Sequence, residues 1–447
     1  MPTPYLSLNP ELLQDLEIFE RVTGSGSLFD QCNFTQTYGG RARLREKFGS
    51  PLADASRIYE VQEALQSLLA DSKAWELPFS QELLHFLKQY RESAIAPVLQ
   101  GHPVLSVWEG LKYKWIYQRD YEFIVRGTHR FLAFLQSLHR WVKGLVSLSL
   151  PTTLNKLFRQ LTGLLDTPAL QEVLKESGRS LYFTQLLRYD WLIRVKVREE
   201  IGQLFECLYE LDALLAMAKS VEQYGLFFPE MVTTPQPEVH LEGLYHLLLN
   251  NPVPNDFHLE KDKNLLFLTG PNMAGKTTYM KACGIAVYLA HLGMGVPAKK
   301  ARLSVFEAVF TSIQTTDNLS AGYSFFYSEV VKSKALAQTV RSGKKVFVVA
   351  DELFKGTNVK DAFDCSQTVI SGLLNWPNGV YIVSTHLTEL AAVYPEVKGV
   401  AFRCFESAVT GGQLVFSYHL AEGVSQDRLG LVILQNAGVA ELLAPAS

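Results

Sequence analysis

Residues 265–278 read LLFLTGPNMAGKTT: four apolar residues, Leu265 to Leu268, a tight glycine turn, then a lysine and two threonines. Gly270 and Gly275 bracket Pro271, Asn272, Met273 and Ala274. With that spacing, successive backbone amides can curl around a polyphosphate and point their hydrogens at it. Lys276 then lies against the outer phosphates, and the Thr277 hydroxyl, with Thr278 beside it, is placed to ligand a magnesium ion. The apolar run is of the kind buried on both faces in a parallel sheet, whereas Tyr279 to His291 carries helix-compatible periodicity. Strand, loop and helix follow in the order that phosphate binding requires.

Downstream, Lys344 to Glu352, KKVFVVADE, is an apolar strand ending in adjacent carboxylates. At such a strand end Asp351 holds magnesium, directly or through water, and Glu352 orients and deprotonates an attacking water. A third strand, Val380 to Thr385, ends in His386, which the series of strands marks as a γ-phosphate sensor. Between the loop and the paired acids, VFEAVFTSIQTTDNLSAGYSFFYSEVVKSKALAQTV begins as a strand and ends as a helix preceded by Ser320, Gly322 and Ser324. Small residues and free amides at a helix start suit an anion. VAFRCFES and LVFSYHL read as a strand pair, and Leu429 to Leu443 as a closing helix.

The 447 residues suffice for two or three domains. A formal charge of -3 excludes a uniformly basic coat but leaves room for a local basic surface. Five cysteines, at 32, 207, 283, 365 and 404, form no CxxC pair, so neither a disulfide framework nor a zinc site is expected, and a reducing cytoplasm is. The opening MPTPYLSLNPELLQDLE is no basic-then-apolar leader, and no uncharged apolar run reaches the roughly 18 residues of a membrane span.

The segment before the boundary at 229–256, rich in proline and polar residues, reads as helical. Asn9 is expected to cap a helix with Pro10 at its first position and Leu12, Leu13, Leu16 and Phe19 as its buried stripe. Gly39-Gly40 is expected to end one element before a basic helix carrying Arg41, Arg43, Arg45 and Lys47. The run from Leu181 to Gly225 reads as one or two long helices. Between 101 and 200 there are 15 Lys+Arg against 9 Asp+Glu, with Trp108, Tyr113, Trp115, Tyr117 and Tyr121 interleaved. Such a stretch can track a nucleic-acid backbone, or it can be the solvated face of helices whose aromatics pack inward.

Taken together these residues resemble the MutS family of DNA mismatch-repair ATPases. TGPNMAGKTTYMK is similar to that family's phosphate loop, DELFKGTNVKDAFDCS to its magnesium-site and dimer-contact segment, and STHLTEL to its histidine switch. The resemblance places Ser324 at the serine that reaches the neighbouring subunit's nucleotide, and Tyr418, within FSYHLAEGVSQDRLG, where a ring lies near adenine. LNPELLQDLEI and GSLFDQCNFTQTYGGRARLREKFGSPL resemble the opening of the family's core domain, and YELDALLAMAKS the end of its lever helices. Ala274 replaces a loop glycine, Thr277 a serine and Lys355 an arginine. The resemblance implies an all-α core and lever domain over residues 1–230 and an ABC-type α/β P-loop ATPase with a mostly parallel sheet over residues 231–447. It implies ATP and Mg2+ as ligands, and Lys276, Glu352 and His386 as catalytic groups. It also implies a homodimer through the ATPase domains and duplex or branched DNA as partner. No mismatch-reading, connector or clamp domain is expected, so mismatch recognition is not implied. The alternative expectation is a nucleotide-switched assembly module that works on a protein.

Overall fold

The computed structural model describes residues 4–21, 26–97, 103–145, 149–175, 181–313, 325–394, 398–410, 413–425 and 442. Ser320, Gly322, Ser324 and all of the expected closing helix except Leu442 lie outside the described residues. The chain opens with strand β1 (Ser7–Leu8) and a single helical turn, α1 (Leu12–Asp15). Helices α2 (Leu28–Cys32), α3 (Tyr38–Gly49), α4 (Ala55–Ala70), α5 (Gln81–Arg91) and α6 (Pro103–Ile116) follow. Next come α7 (Gln118–Leu145), α8 (Thr152–Leu165), α9 (Pro168–Leu174) and α10 (Phe183–Trp191). A π-helical turn, Leu192–Lys196, separates α10 from α11 (Arg198–Tyr224), so the run from Leu181 to Gly225 forms two helices rather than one.

Strands β2 (Glu230–Val232), β3 (Val239–Leu244) and β4 (Asn255–Leu259) precede β5 (Leu265–Thr269) and α12 (Lys276–His291). The remainder alternates: β6 (Lys300–Ser304), β7 (Ala308–Ser312), α13 (Phe325–Arg341), β8 (Val346–Ala350), α14 (Val359–Leu374) and β9 (Gly379–Ser384). The hairpin β10 (Val400–Thr410) and β11 (Gln413–Glu422) follows. Seven strands form one sheet in the order β1-β7-β8-β9-β5-β10-β11, parallel throughout except for the β10–β11 pair. Every residue of β5, β8 and β9 is buried, as their unbroken apolar runs require. A second sheet, β2-β6-β3-β4, occupies the stretch that reads as a proline-rich boundary, together with β6 in the glycine-rich connection. Its strands are short, the prolines lie between them, and β3 shifts register between Leu241 and Leu244 at Gly243, which masks their alternation in the sequence.

The chain divides into two compact units. One comprises residues 1–32, 48–62 and 220–447, the other 33–47 and 63–219, with one boundary at the end of α2 and the others inside α3, α4 and α11. This differs from a single cut at residue 230, and the reason is visible in the hydrogen bonds of the first unit. The Asn9 side chain does not cap a helix: its amide exchanges two 2.8 Å bonds with the backbone of Thr311, extending the pairing of β1 with β7. α1 is therefore one turn, with Glu11 at its N-cap. Leu12 and Leu16 are buried as expected, Leu13 and Phe19 only partly. The Tyr288 hydroxyl of α12 donates to the Phe48 carbonyl, and the Leu52 amide donates to the His291 carbonyl at 2.7 Å. His291 itself is buried: Nδ1–H donates to the Leu52 carbonyl at 2.5 Å, and Nε2 accepts from the Phe306 amide at 3.2 Å.

In the other unit α7 is the hub, packed against α5, α6, α8, α9 and α10. Gly127 of α7 is held to glycine because a Cβ there would stand 2.1 Å from the Tyr90 ring. The buried Asp190 accepts from Tyr90 Oη at 2.6 Å and from Arg194 Nε and Nη2 at 2.7 and 2.6 Å, so both charges are paired as burial demands. Gly39 and Gly40 lie in the first turn of α3 rather than before it, and glycine stands there because side chains would meet Tyr209 and Asp212. Asp212 supplies the anion for that helix start, accepting from the amides of Gln36 and Thr37 at 2.9 and 2.8 Å. Among the described residues no helix is long and apolar enough to cross a membrane.

Burial pushes the imidazoles of His291 and His246 down to about 4, below the usual 6.5. As pH falls below about 6.5, the unfolded chain takes up protons that the folded chain binds only near pH 4. Stability is therefore lost across that window, by up to about 1.4 kcal/mol per pH unit for each histidine. Denaturant titrations at pH 7 and pH 5 should show a less stable protein at pH 5, and His291→Gln should flatten the difference.

Candidate functional site

The site forms at the C-terminal ends of β5, β8 and β9, adjacent strands in the order β8-β9-β5. After β5 the chain turns through Gly270 at φ 141°, Met273 at φ 68° and Gly275 at φ 103°. Glycine is required at 270, where a Cβ would come within 3.0 Å of the Phe405 carbonyl oxygen. Ala274 is buried and is not among the residues of positive φ, so alanine serves at that position without strain. Gly275 is the N-cap of α12 and offers no side chain to the first turn, leaving the helix start to its own amides. Lys276 is buried, and its Nζ donates to the carbonyls of Gly270 and Pro271 at 2.7 and 3.1 Å. Burial lowers the Lys276 ammonium pKa against the pull of Glu352 and Asp351.

Thr277 Oγ1 donates to Asp351 Oδ2 at 2.6 Å, and Ser384 Oγ donates to Asp351 Oδ1. A hydroxyl and a carboxylate brought together in this way are the hard oxygen donors that suit Mg2+, so the residues fit that ion. Next to them Glu352 is left-handed, at φ 52°, with its amide 3.2 Å from both the carbonyl and the hydroxyl oxygen of Ser384. Phe354 repeats the conformation at φ 57°. Each such residue costs about 1–3 kcal/mol and persists only where its surroundings over-determine it. The His386 ring lies with Nε2 2.5 Å from Glu352 Oε1, and Lys355 Nζ is 3.5 Å from Oε2. Hydrogen bonding to His386, with the charges of His386, Lys355 and Lys276, holds the Glu352 carboxyl down at about 2 although burial pulls it upward.

A cleft of about 430 Å³ opens beside the loop, lined among others by Pro271, Lys276, Thr277, Glu352 and Tyr418. Tyr418 reaches it through a bulge: Phe405 pairs with Leu420 and Ser407 with Phe416, so Ser417, Tyr418 and His419 oppose Glu406 alone. At φ 56° Tyr418 leaves the strand, 45% exposed, its ring 3.4 Å from where a Cβ on Gly275 would stand. Asn255 of β4 holds the bulge open, donating to the Tyr418 carbonyl at 2.9 Å and accepting from the Leu420 amide at 2.7 Å.

Most of the residues singled out in the sequence therefore meet. Gly270, Gly275, Lys276 and Thr277 meet Asp351, Glu352 and His386, with Tyr418 across the cleft. Asn272 and Met273 are exposed on the loop, and Thr278 is the third residue of α12. Ser324 falls outside the described residues. Ser384 and Asn255 were not anticipated: a serine in a buried strand and an asparagine on a short strand carry no local pattern. Within 101–200, Trp108 and Trp115 are 70% and 81% exposed and Tyr117 is exposed, while Tyr121 is partly buried.

Residues 266–446 match the family described as MutS domain V. The chain is 29% identical over 270 residues to the DNA mismatch repair protein MutS of Geobacillus kaustophilus (strain HTA426), covering 57% of this chain and 29% of that protein. It is 33% identical over 252 residues to the DNA mismatch repair protein msh3 of Aspergillus fumigatus, covering 54% and 22% of the two chains. Against MutS of Carboxydothermus hydrogenoformans it is 28% identical over 252 residues, covering 55% and 30%. The matched stretch thus spans less than a third of these relatives. In His386→Ala the Glu352 carboxyl should titrate nearer the usual carboxylate range of about 4.3, a rise that carboxyl NMR of the two proteins would register.

Proposed function

We propose that this MutS-like chain, with domain V at residues 266–446, binds ATP with magnesium in the cleft beside the phosphate loop and hydrolyses it. The observation that carries the reading is the meeting of Lys276, Thr277, Asp351, Glu352 and His386 at the ends of three neighbouring strands. The α12 amides and Lys276 receive the phosphates, and the Tyr418 ring lies along the adenine side. Thr277 and Asp351 would hold magnesium, which supplies neutralising charge at the β- and γ-phosphates. Glu352 orients the attacking water. A carboxyl held at about 2 is ionised at neutral pH and is a weak base, so positioning comes first and proton acceptance late. His386, in contact with Glu352, senses the γ-phosphate.

On this reading two chains pair through their ATPase halves, each nucleotide lying between one phosphate loop and the partner's Ser324 segment. Closure then moves the helical unit, which serves as core and levers on duplex or branched DNA. The DNA assignment is supported by α6 and its neighbourhood, where the exposed Trp108, Trp115 and Tyr117 alternate with the exposed Lys112, Lys114 and Arg119. A second reading, a nucleotide-switched module acting on a protein, is favoured by the same helix. Leu111 and Ile116 join the tryptophans in an exposed apolar stripe of the kind that docks proteins.

Lys276→Ala should abolish nucleotide binding. Glu352→Gln should retain it and lose hydrolysis by roughly 100-fold, the scale of losing a general base; equal turnover in the two proteins would refute the assignment. Combining Trp115→Ala with Lys112→Glu and Lys114→Glu should weaken DNA binding at least about tenfold and flatten its salt dependence. Unchanged DNA binding, with loss of a protein captured by the nucleotide-trapped Glu352→Gln form, favours the second reading.

A further inference from the structure

The loop from Asp351 to Asn358 joins β8 to α14 and carries the two left-handed residues Glu352 and Phe354. Ser384 fixes the first of these from β9. The Leu353 carbonyl accepts from Ser366 Oγ of α14 at 3.3 Å. The far half of the loop is held from α13. Phe354 is buried with its ring centroid 6.1 Å from that of Phe326, and one side chain from the same helix takes the next two amides. That side chain is Glu329, itself buried at 7% exposure: Oε1 accepts from the Lys355 amide at 3.3 Å and Oε2 from the Gly356 amide at 3.1 Å. Burial raises the Glu329 carboxyl and the two amides draw it back, as expected of an anion satisfied by backbone donors.

The chemistry assigned to the cleft makes no use of this carboxylate, yet its position is specific. Glu329 lies in the second turn of α13, five residues beyond Ser324. Its far end grips the peptide of Lys355, whose own ammonium faces Glu352 Oε2 at 3.5 Å. A rigid helix, a two-bond carboxylate and a strained turn are thus connected in series up to the group that orients water.

We propose that Glu329 is a positioning residue that transmits the placement of α13 to Glu352, so that hydrolysis depends on where this helix sits. The proposal rests on the reading that Glu352 serves hydrolysis and that the start of α13 meets a second chain's nucleotide. Movement of α13 by even part of a hydrogen-bond length releases Lys355 and Gly356, and the left-handed turn at Glu352 and Phe354 then loses the contacts that over-determine it. Glu329 bonds the amides of Lys355 and Gly356 and none of the groups assigned to nucleotide binding, so nucleotide affinity is left unchanged.

The test uses the full chain with Glu329→Gln, Glu329→Asp and, as control, Glu352→Gln. In Glu329→Gln one acceptor becomes a donor facing an amide hydrogen. ATP turnover at saturation should fall about tenfold, while the Kd for ATP, read from a fluorescent analogue, stays within about twofold. Wild-type turnover per chain should rise with protein concentration as pairs form, and in Glu329→Gln it should become independent of concentration. Glu329→Asp keeps both acceptors on a shorter arm and should restore part of the rate. Wild-type turnover in Glu329→Gln, or a loss of affinity as large as the loss of rate, overturns the proposal. If Glu352→Gln hydrolyses ATP normally, or if wild-type turnover does not depend on concentration, the underlying reading of the site fails instead.

Discussion

Asp351 draws three strands to one point. Its two carboxylate oxygens accept from Thr277 at the start of α12 and from Ser384 at the end of β9, while its own amide donates to the Ser312 carbonyl of β7. An ionised group at the edge of an apolar parallel sheet must be satisfied by such donors or by a cation. Here the donors come from the two elements that a phosphate-binding site needs beside it. The rest of the cleft inherits its geometry from that meeting: Glu352 follows in sequence, Lys276 precedes Thr277, and His386 lies two residues beyond Ser384.

Backbone strain is concentrated around the same point. Met273, Glu352, Phe354 and Tyr418 are left-handed without being glycine, and Gly270 and Gly275 take positive φ on the phosphate loop. Four of these departures have an identifiable restraint: Phe405 packed against Gly270, Ser384 on Glu352, Glu329 on the amide that follows Phe354, and Asn255 bridging the bulge at Tyr418. The bulge turns an edge-strand tyrosine into part of the cleft wall, and the loop after β8 turns a solvent-bound acid back toward His386. In both places the surrounding packing stabilises a conformation that the residue alone disfavours.

The opening residues illustrate a different kind of dependence. Residues 4–21 and 48–62 are rich in apolar side chains, yet Asn9 and Phe48 find hydrogen-bond partners about 300 and 240 residues away. Asn9 completes a sheet edge on Thr311, and Leu52 brackets His291 from both sides. The neutral, buried imidazole at the end of α12 thereby links the helix that carries the phosphate loop to the beginning of the chain. The N-terminal residues belong to the α/β unit for this reason, although their composition matches that of the helical one.

The phosphate loop, the paired acids, the strand bearing His386 and the alternation of strand and helix around them were legible in the residues alone. Each is a local pattern: buried parallel strands need unbroken apolar runs, and polyphosphate needs glycines and a lysine at fixed spacing. Ser384, Asn255 and Glu329 were not legible, because each acts on a partner between 26 and 165 residues distant and is an ordinary polar residue in its own neighbourhood. The second sheet, the placing of Asn9 at a strand edge and the interrupted boundary between units likewise came from pairing across the chain. Local periodicity records which face of an element is apolar; only the tertiary structure decides what covers it.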